Sequence, residues 1–179
     1  MDIYKLNFTK LELEIFLYLC IMSGDSLSQR DIAKKLRVSP TAVSNSVKNL
    51  EKQGLARINK TKNINFILFN RDSRKAVELK RAENLRQAYA SGLADFLEEK
   101  LAGAAIILFG SYSRGEDTVS SDIDIAVIGR KSKEVDVSRH EKMLFRKINI
   151  QFYDSWKDMH IHLKNNILNG IVIAGSVEL

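Results

Sequence analysis

The chain has 179 residues, a net charge of +6 and 45% apolar residues, enough for one large or two small packed domains. No apolar run is long enough to span a membrane, and the N-terminal stretch is charged from its second residue, unlike a secretory signal. The single cysteine, Cys20, permits no disulfide within the chain, so a reducing cytoplasmic setting is expected, and the three histidines lack the cysteine partners and helical spacing of a zinc site.

The positive excess is local. Residues 1–72 hold 12 Lys and Arg against 7 Asp and Glu, residues 73–101 hold 6 against 5, and residues 102–179 hold 10 of each. A basic N-terminal third points to a nucleic-acid partner. Thr9 can cap a helix running to about Ser23, with Glu12 as capping-box partner and Leu13, Phe16, Leu17 and Cys20 on one face. Ser28, with Asp31 three residues on, opens a second helix over QRDIAKKLRV. Ser39-Pro40 opens a third, with Ser as N-cap and Pro at the first helical position. That helix runs to Gln53, and Gly54 suits the position after it. Val43, Val47 and Leu50 form its buried stripe, while Thr41, Ser44, Asn45 and Lys48 face outward. Such side chains reach base edges and phosphates from a recognition helix. Leu55–Ile58 and Ile64–Leu68 then alternate as two strands around a basic loop, Asn59-Lys60-Thr61-Lys62-Asn63.

This text, LSQRDIAKKLRVSPTAVSNSVKNLEKQGLARI, resembles the winged helix-turn-helix of bacterial and archaeal transcription regulators. The resemblance covers about residues 8–70. It implies binding of double-stranded DNA, with the third helix in the major groove and the wing near the backbone. The contacts expected are Ser39, Thr41, Ser44, Asn45 and Lys48 from the helix region, and Arg57, Lys60 and Lys62 from the wing.

Residues 73–101 read as one long helix capped by Ser73, with Leu79, Ala82, Leu85, Tyr89, Leu93 and Phe96 on an amphipathic stripe. It either joins the domains or pairs with its copy in a homodimer. The apolar run Ala104–Phe109 has the length of a buried strand and stops at Gly110-Ser111, where glycine lets backbone approach a ligand closely. A second strand spans Ile123–Ile128, and Asp122 and Asp124 flank Ile123. Strand side chains alternate, so the two carboxylates share a face and repel each other unless a hard divalent cation such as Mg²⁺ lies between them. A helix is expected over Val135–Arg146, then a strand over 147–153, a helix over Trp156–Asn169, and a short extended end at Ile171–Ile173.

The apolar strand, G-S, ten residues and D-x-D resemble the DNA polymerase β-like nucleotidyltransferase superfamily, in particular its minimal members, over about residues 102–175. The family often reads G-S-R-A-R-G; here the stretch is Gly110-Ser111-Tyr112-Ser113-Arg114-Gly115. The resemblance implies that a nucleoside triphosphate binds with Mg²⁺ and passes a nucleotidyl group to a hydroxyl. Asp122 and Asp124 would be the catalytic metal ligands, and Gly110, Ser111 and Arg114 would hold the triphosphate. The family usually adds a third carboxylate from the next strand. That position carries Asn149 or Gln151, both neutral, and Gln151 is assigned to the metal site with the two aspartates. Asp154 ends the strand and faces the other way by parity. Some small family members act on a protein, so a protein acceptor is also in view.

The expected architecture is α+β. A winged helix-turn-helix over residues 1–72 and a linking helix over 73–101 precede a minimal α/β nucleotidyltransferase domain over 102–179, with a small mixed sheet. The alternative function is a transcription regulator whose degenerate domain only senses nucleotide or a protein partner.

Overall fold

A computed structural model of the chain describes residues 8–61, 64–157 and 159–178. They form two compact units that divide between Val77 and Glu78. Among the described residues no helix is long and apolar enough to cross a membrane.

The first unit is built by its caps. Helix α1 (Lys10–Ile21) and helix α2 (Gln29–Leu36) each begin with a reciprocal capping box, Thr9 with Glu12 and Ser28 with Asp31. The two-residue strand β1 (Leu27–Ser28) leads into α2. Helix α3 (Pro40–Lys52) starts on Ser39, whose Oγ accepts from the Ala42 amide, with Pro40 at the first turn. Each such cap stabilises its helix by about 1 kcal/mol. Helix α2 stops at Leu36, two residues short of expectation, because Arg37 turns to a left-handed φ of 57°. Strands β2 (Ala56–Lys60) and β3 (Asn65–Phe69) pair antiparallel as the wing, and β1 adds to the far edge of β3. Ile15, Leu19, Ile32, Val43, Leu50 and Ile67 close the core. Glu12 is buried and also joins α1 to α3, since Asn49 Nδ2 donates to its Oε1 at 2.8 Å. The Thr9 amide and that Asn49 bond hold the Glu12 carboxyl below its ordinary value.

The long helix expected over 73–101 is two helices, α4 (Arg74–Ala90) and α5 (Leu93–Lys100). The break is Gly92, which takes a left-handed φ of 74°. The buried face of α4 also differs from the apolar stripe in the sequence. Ala76, Lys80, Asn84 and Ala88, spaced four apart, are its buried residues, while Tyr89 is exposed.

In the second unit, strand β4 (Ala105–Phe109), the short helix α6 (Gly110–Arg114), strand β5 (Ile123–Ile128), helix α7 (Ser138–Leu144), strand β6 (Ile148–Tyr153), helix α8 (Ile161–Leu168) and strand β7 (Ile171–Ala174) follow in order. The sheet order is β6-β5-β4-β7, with β5 and β6 parallel and β4 antiparallel to both its neighbours. Ile106, Leu108, Ile123, Ile125 and Val127 pack on α5 and α7. Ile107, Phe109, Ala126 and Ile128 pack on Trp156 and Ile167 of the other face. Strand β4 is therefore covered on both sides, which explains its unbroken apolar run. Both surface helices are shorter than expected: α7 begins at Ser138, and α8 begins at Ile161, after Trp156 has dropped into the core.

Candidate functional site

The end of β4 and the start of β5 meet at the carboxylates. Phe109 pairs with Asp124 across the two strands. The next residue, Gly110, has φ +76°, and a Cβ built there would lie 2.6 Å from Asp124 Oδ2. Glycine is therefore needed twice, for the left-handed backbone and for the space the carboxylate occupies. Ser111 follows, half-buried. Asp122 is exposed and Asp124 half-buried. Among the described residues neither forms an ion pair. Burial raises the Asp124 carboxyl above its ordinary value; an Asn149 hydrogen bond opposes this and the charge of Asp122 adds to it.

The β5–β6 register decides which neutral residue stands beside the aspartates. Asp124 pairs with Asn149, and Asn149 Nδ2 donates to Asp124 Oδ1 at 3.3 Å. Gln151 pairs with Ala126, roughly 7 Å further along, and its Oε1 accepts from the Tyr153 hydroxyl at 2.6 Å. Asn149 thus stands beside Asp124, and Gln151, the residue expected in the metal site, lies two residues further along the strand. The two share a face, so parity alone cannot choose between them. Asp154 follows Tyr153, which pairs with Ile128 at the far end of β5. It cannot join Asp122 and Asp124. No cluster of three or more His, Cys, Asp or Glu able to hold a metal occurs among the described residues.

Arg114 is on the surface. Its Nε donates to Glu116 Oε2 at 2.8 Å and its Nη1 to Asn166 Oδ1 at 3.2 Å. Tyr112, which stands where the family often has its first arginine, is buried in the core. Its phenol is pushed up by burial and by Asp117.

Sequence reasoning missed Asp117, the centre of the loop between Gly110 and Asp122. It is 1% exposed and carries two cations. Lys80 Nζ of α4 donates to its Oδ1 and, at 2.6 Å, to its main-chain oxygen. Asn84 Nδ2 reaches the same Oδ1 at 2.7 Å and the Tyr112 carbonyl at 2.8 Å. Arg146 Nη2 donates to Oδ2 at 3.2 Å. The only sequence signal was the small-and-polar spacing Ala76-Lys80-Asn84-Ala88, which hydrophobic periodicity passes over. The loop beyond Asp117 is held by the Thr118 amide donating to Ser121 Oγ at 2.9 Å.

In the first unit, Thr41, Asn45 and Lys48 are exposed on one side of α3. Ser44, Lys48 and Lys60 line one shallow depression between α3 and the wing. Ser39 uses its Oγ as the helix cap. Arg57 is paired with Asp72 at 2.5 Å on the surface. Lys62 lies outside the described residues.

Comparison with known proteins matches residues 90–170 to the nucleotidyltransferase domain and residues 6–62 to the MarR family. No curated protein matches the chain. Among solved structures, a variant of Lactococcus lactis ZitR is 20% identical, with a TM-score of 0.40, over 56% of this chain and 66% of that one. The Staphylococcus aureus MepR–DNA complex is 23% identical, with a TM-score of 0.38, over 52% and 82%. MepR, described as a transcription regulator of the multidrug efflux pump MepA, is 27% identical in a second structure, with a TM-score of 0.39, over 52% and 72%. The chain thus spans just under two thirds of the ZitR variant's length. It joins an N-terminal MarR-type winged helix to a nucleotidyltransferase-family domain.

Proposed function

We propose that this union of a MarR-type winged helix and a nucleotidyltransferase domain is a DNA-binding regulator whose C-terminal domain binds a Mg²⁺–nucleoside triphosphate and transfers a nucleotidyl group to a hydroxyl. The observation that carries the reading is the seat of Gly110 against Asp124, where a Cβ would meet Oδ2 at 2.6 Å. Two aspartates without an internal cation suit a hard divalent ion, and Asn149 can add an amide oxygen but no charge. Asp122 and Asp124 would hold the ion, which supplies charge neutralisation for the triphosphate. Ser111 would donate to a phosphate oxygen. Arg114 can turn from its exposed pair with Glu116, which is worth at most about 1 kcal/mol, to the phosphates. In the reaction an acceptor hydroxyl oxygen bonds to the α-phosphorus. The bond from that phosphorus to the bridging oxygen breaks, pyrophosphate leaves and the hydroxyl proton passes to water. The protein contributes position and charge rather than covalent help.

Asn149 supports a second reading, in which the domain senses nucleotide and turns over slowly. A third carboxylate would help bind a second ion and draw off the hydroxyl proton. Asn149→Asp should therefore raise transfer from labelled triphosphate, and Gln151→Asp should not.

DNA recognition is assigned to Thr41, Ser44, Asn45, Lys48 and Lys60, in the unit that holds most of the basic excess. Affinity for duplex DNA should fall steeply with salt, and Lys48→Ala should lower the salt slope by about one.

The test of the site is calorimetry of the full chain with a non-hydrolysable triphosphate, with and without Mg²⁺. Binding should need Mg²⁺ and disappear when Asp122→Asn and Asp124→Asn are combined. Equal affinity in the wild type and the double variant would overturn the assignment.

A further inference from the structure

We propose that the cavity on the β6 side of Asp122 is the acceptor subsite, and that Phe145 is its stacking platform for a nucleotide unit, a base carrying a phosphate. The inference rests on reading Asp122 and Asp124 as the triphosphate site. The cavity measures about 580 Å³, and Ser121, Asp122, Ser138, Lys142, Phe145 and Lys147 line it. Gly110-Ser111 follows β4 on one side of β5, whereas α7 and the start of β6 build the cavity on the other. A group in the cavity would reach Asp122 from the β6 side, whereas Gly110-Ser111 follows the strand on the other side of β5. In-line displacement needs the acceptor oxygen and the leaving pyrophosphate on opposite sides of the α-phosphorus, and a second subsite beside Asp122 can supply the acceptor.

Phe145 is unusual in two ways. It caps α7 in the left-handed region, with φ 53°, a place that glycine or asparagine ordinarily fills. It is also 61% exposed. The surroundings fix it there. Arg146, buried on Asp117, donates from Nη1 to the Phe145 carbonyl at 3.0 Å, and its amide bonds the Glu141 carbonyl at 3.2 Å. A strained residue that its neighbours over-determine is a mark of function.

The surrounding groups name the ligand. An exposed ring face stacks bases of any sequence. Lys142 supplies positive charge on the α7 wall, and residues 130–147 hold seven Lys and Arg against three Asp and Glu. The one carboxylate on the α7 wall, Glu141, is already bound by Lys147 Nζ at 3.2 Å and the Ile148 amide at 3.0 Å. The serine hydroxyls suit a ribose or a base edge. A base with phosphate can come from a free mononucleotide or from the end of a single-stranded nucleic acid.

The test begins with the full chain and Mg²⁺ plus a non-hydrolysable triphosphate, measured alone. The saturated protein is then titrated with adenosine monophosphate and, separately, with a short single-stranded RNA. Phe145→Gly should weaken the responding probe ~5- to 100-fold, leave triphosphate affinity unchanged, and keep or raise the melting temperature, because glycine relieves the left-handed strain. Phe145→Tyr should bind like the wild type. A response to RNA alone assigns a strand end, and a response to the monophosphate alone assigns a free nucleotide. Absent triphosphate binding would overturn the site reading and the acceptor role with it. Triphosphate binding with neither probe bound, or with binding indifferent to Phe145→Gly, would overturn the subsite alone.

Discussion

Asp117 and the pair Asp122/Asp124 lie within eight residues of one another in a single loop and strand start, yet the fold treats them in opposite ways. Asp117 is 1% exposed and holds Lys80, Arg146 and Asn84. Asp122 and Asp124 sit at the surface end of the sheet, face each other's charge, and among the described residues take no cation from the chain. Buried charge persists only when it is paired. A carboxylate pair left without an internal partner is tolerable where solvent or an external ion can reach it. The first cluster is therefore structural and fixes the loop, and the second stays open to solvent, as the proposed ligand site requires.

That contrast is broken most sharply at Asp117. Asp117→Asn keeps the shape and removes the charge, leaving Lys80 and Arg146 buried without it. Removing one member of a buried pair costs about 3–5 kcal/mol. Denaturant unfolding should show that loss in the transition of the second unit, whereas Asp122→Asn should leave the midpoint unchanged or slightly higher. Equal effects of the two substitutions would erase the distinction between the clusters.

Gly110→Ala probes the boundary between them. The left-handed backbone alone costs an alanine about 1–2 kcal/mol, and its methyl would displace the Asp124 carboxylate. The expected result is a modest fall in the melting temperature with complete loss of Mg²⁺-dependent triphosphate binding. A variant that binds normally would show that the close approach of Gly110 and Asp124 has no part in the site.

The sequence was most legible where structure is local. Thr9 with Glu12, Ser28 with Asp31, and Ser39 with Pro40 mark helix starts that the structure places at those residues. The continuous apolar β4, the strand Ile123–Ile128 and the strand over 147–153 were also readable. Tertiary choices were not. Nothing local says that Gly92 breaks a helix rather than rides in it, or that α4 buries Lys80 and Asn84 instead of Leu79 and Tyr89. The partner of that face is a loop aspartate more than thirty residues away, so no periodic signal reports it. The same limit applied at the site. Asn149 and Gln151 satisfy the same alternation, and only the pairing of β6 with β5 separates them.

The smallest effect concerns the proton on Asp124. Burial is the main reason its carboxyl is raised, and the neighbouring charge of Asp122 adds to it despite the bond from Asn149. A folded-state value above the unfolded one means that the fold prefers the protonated form. Ionised Asp124 therefore costs stability at neutral pH, and that cost fades as pH falls through its raised value toward the ordinary aspartate value of 3.8. Asp124→Asn, without metal, should be slightly more stable than the wild type at pH 7, and the gap should close on acidification through that window. The opposite sign is expected of Glu12, whose carboxyl is lowered by the Thr9 amide and Asn49. Its stabilisation is present above the unfolded value and lost as pH falls through the folded one, so Glu12→Gln should be less stable at pH 7. Urea titrations of both variants from pH 7 to pH 4 measure the two slopes together. An Asp124→Asn protein less stable than the wild type at pH 7 would mean that the fold does satisfy this carboxylate, and the surface pair would then resemble Asp117 rather than oppose it.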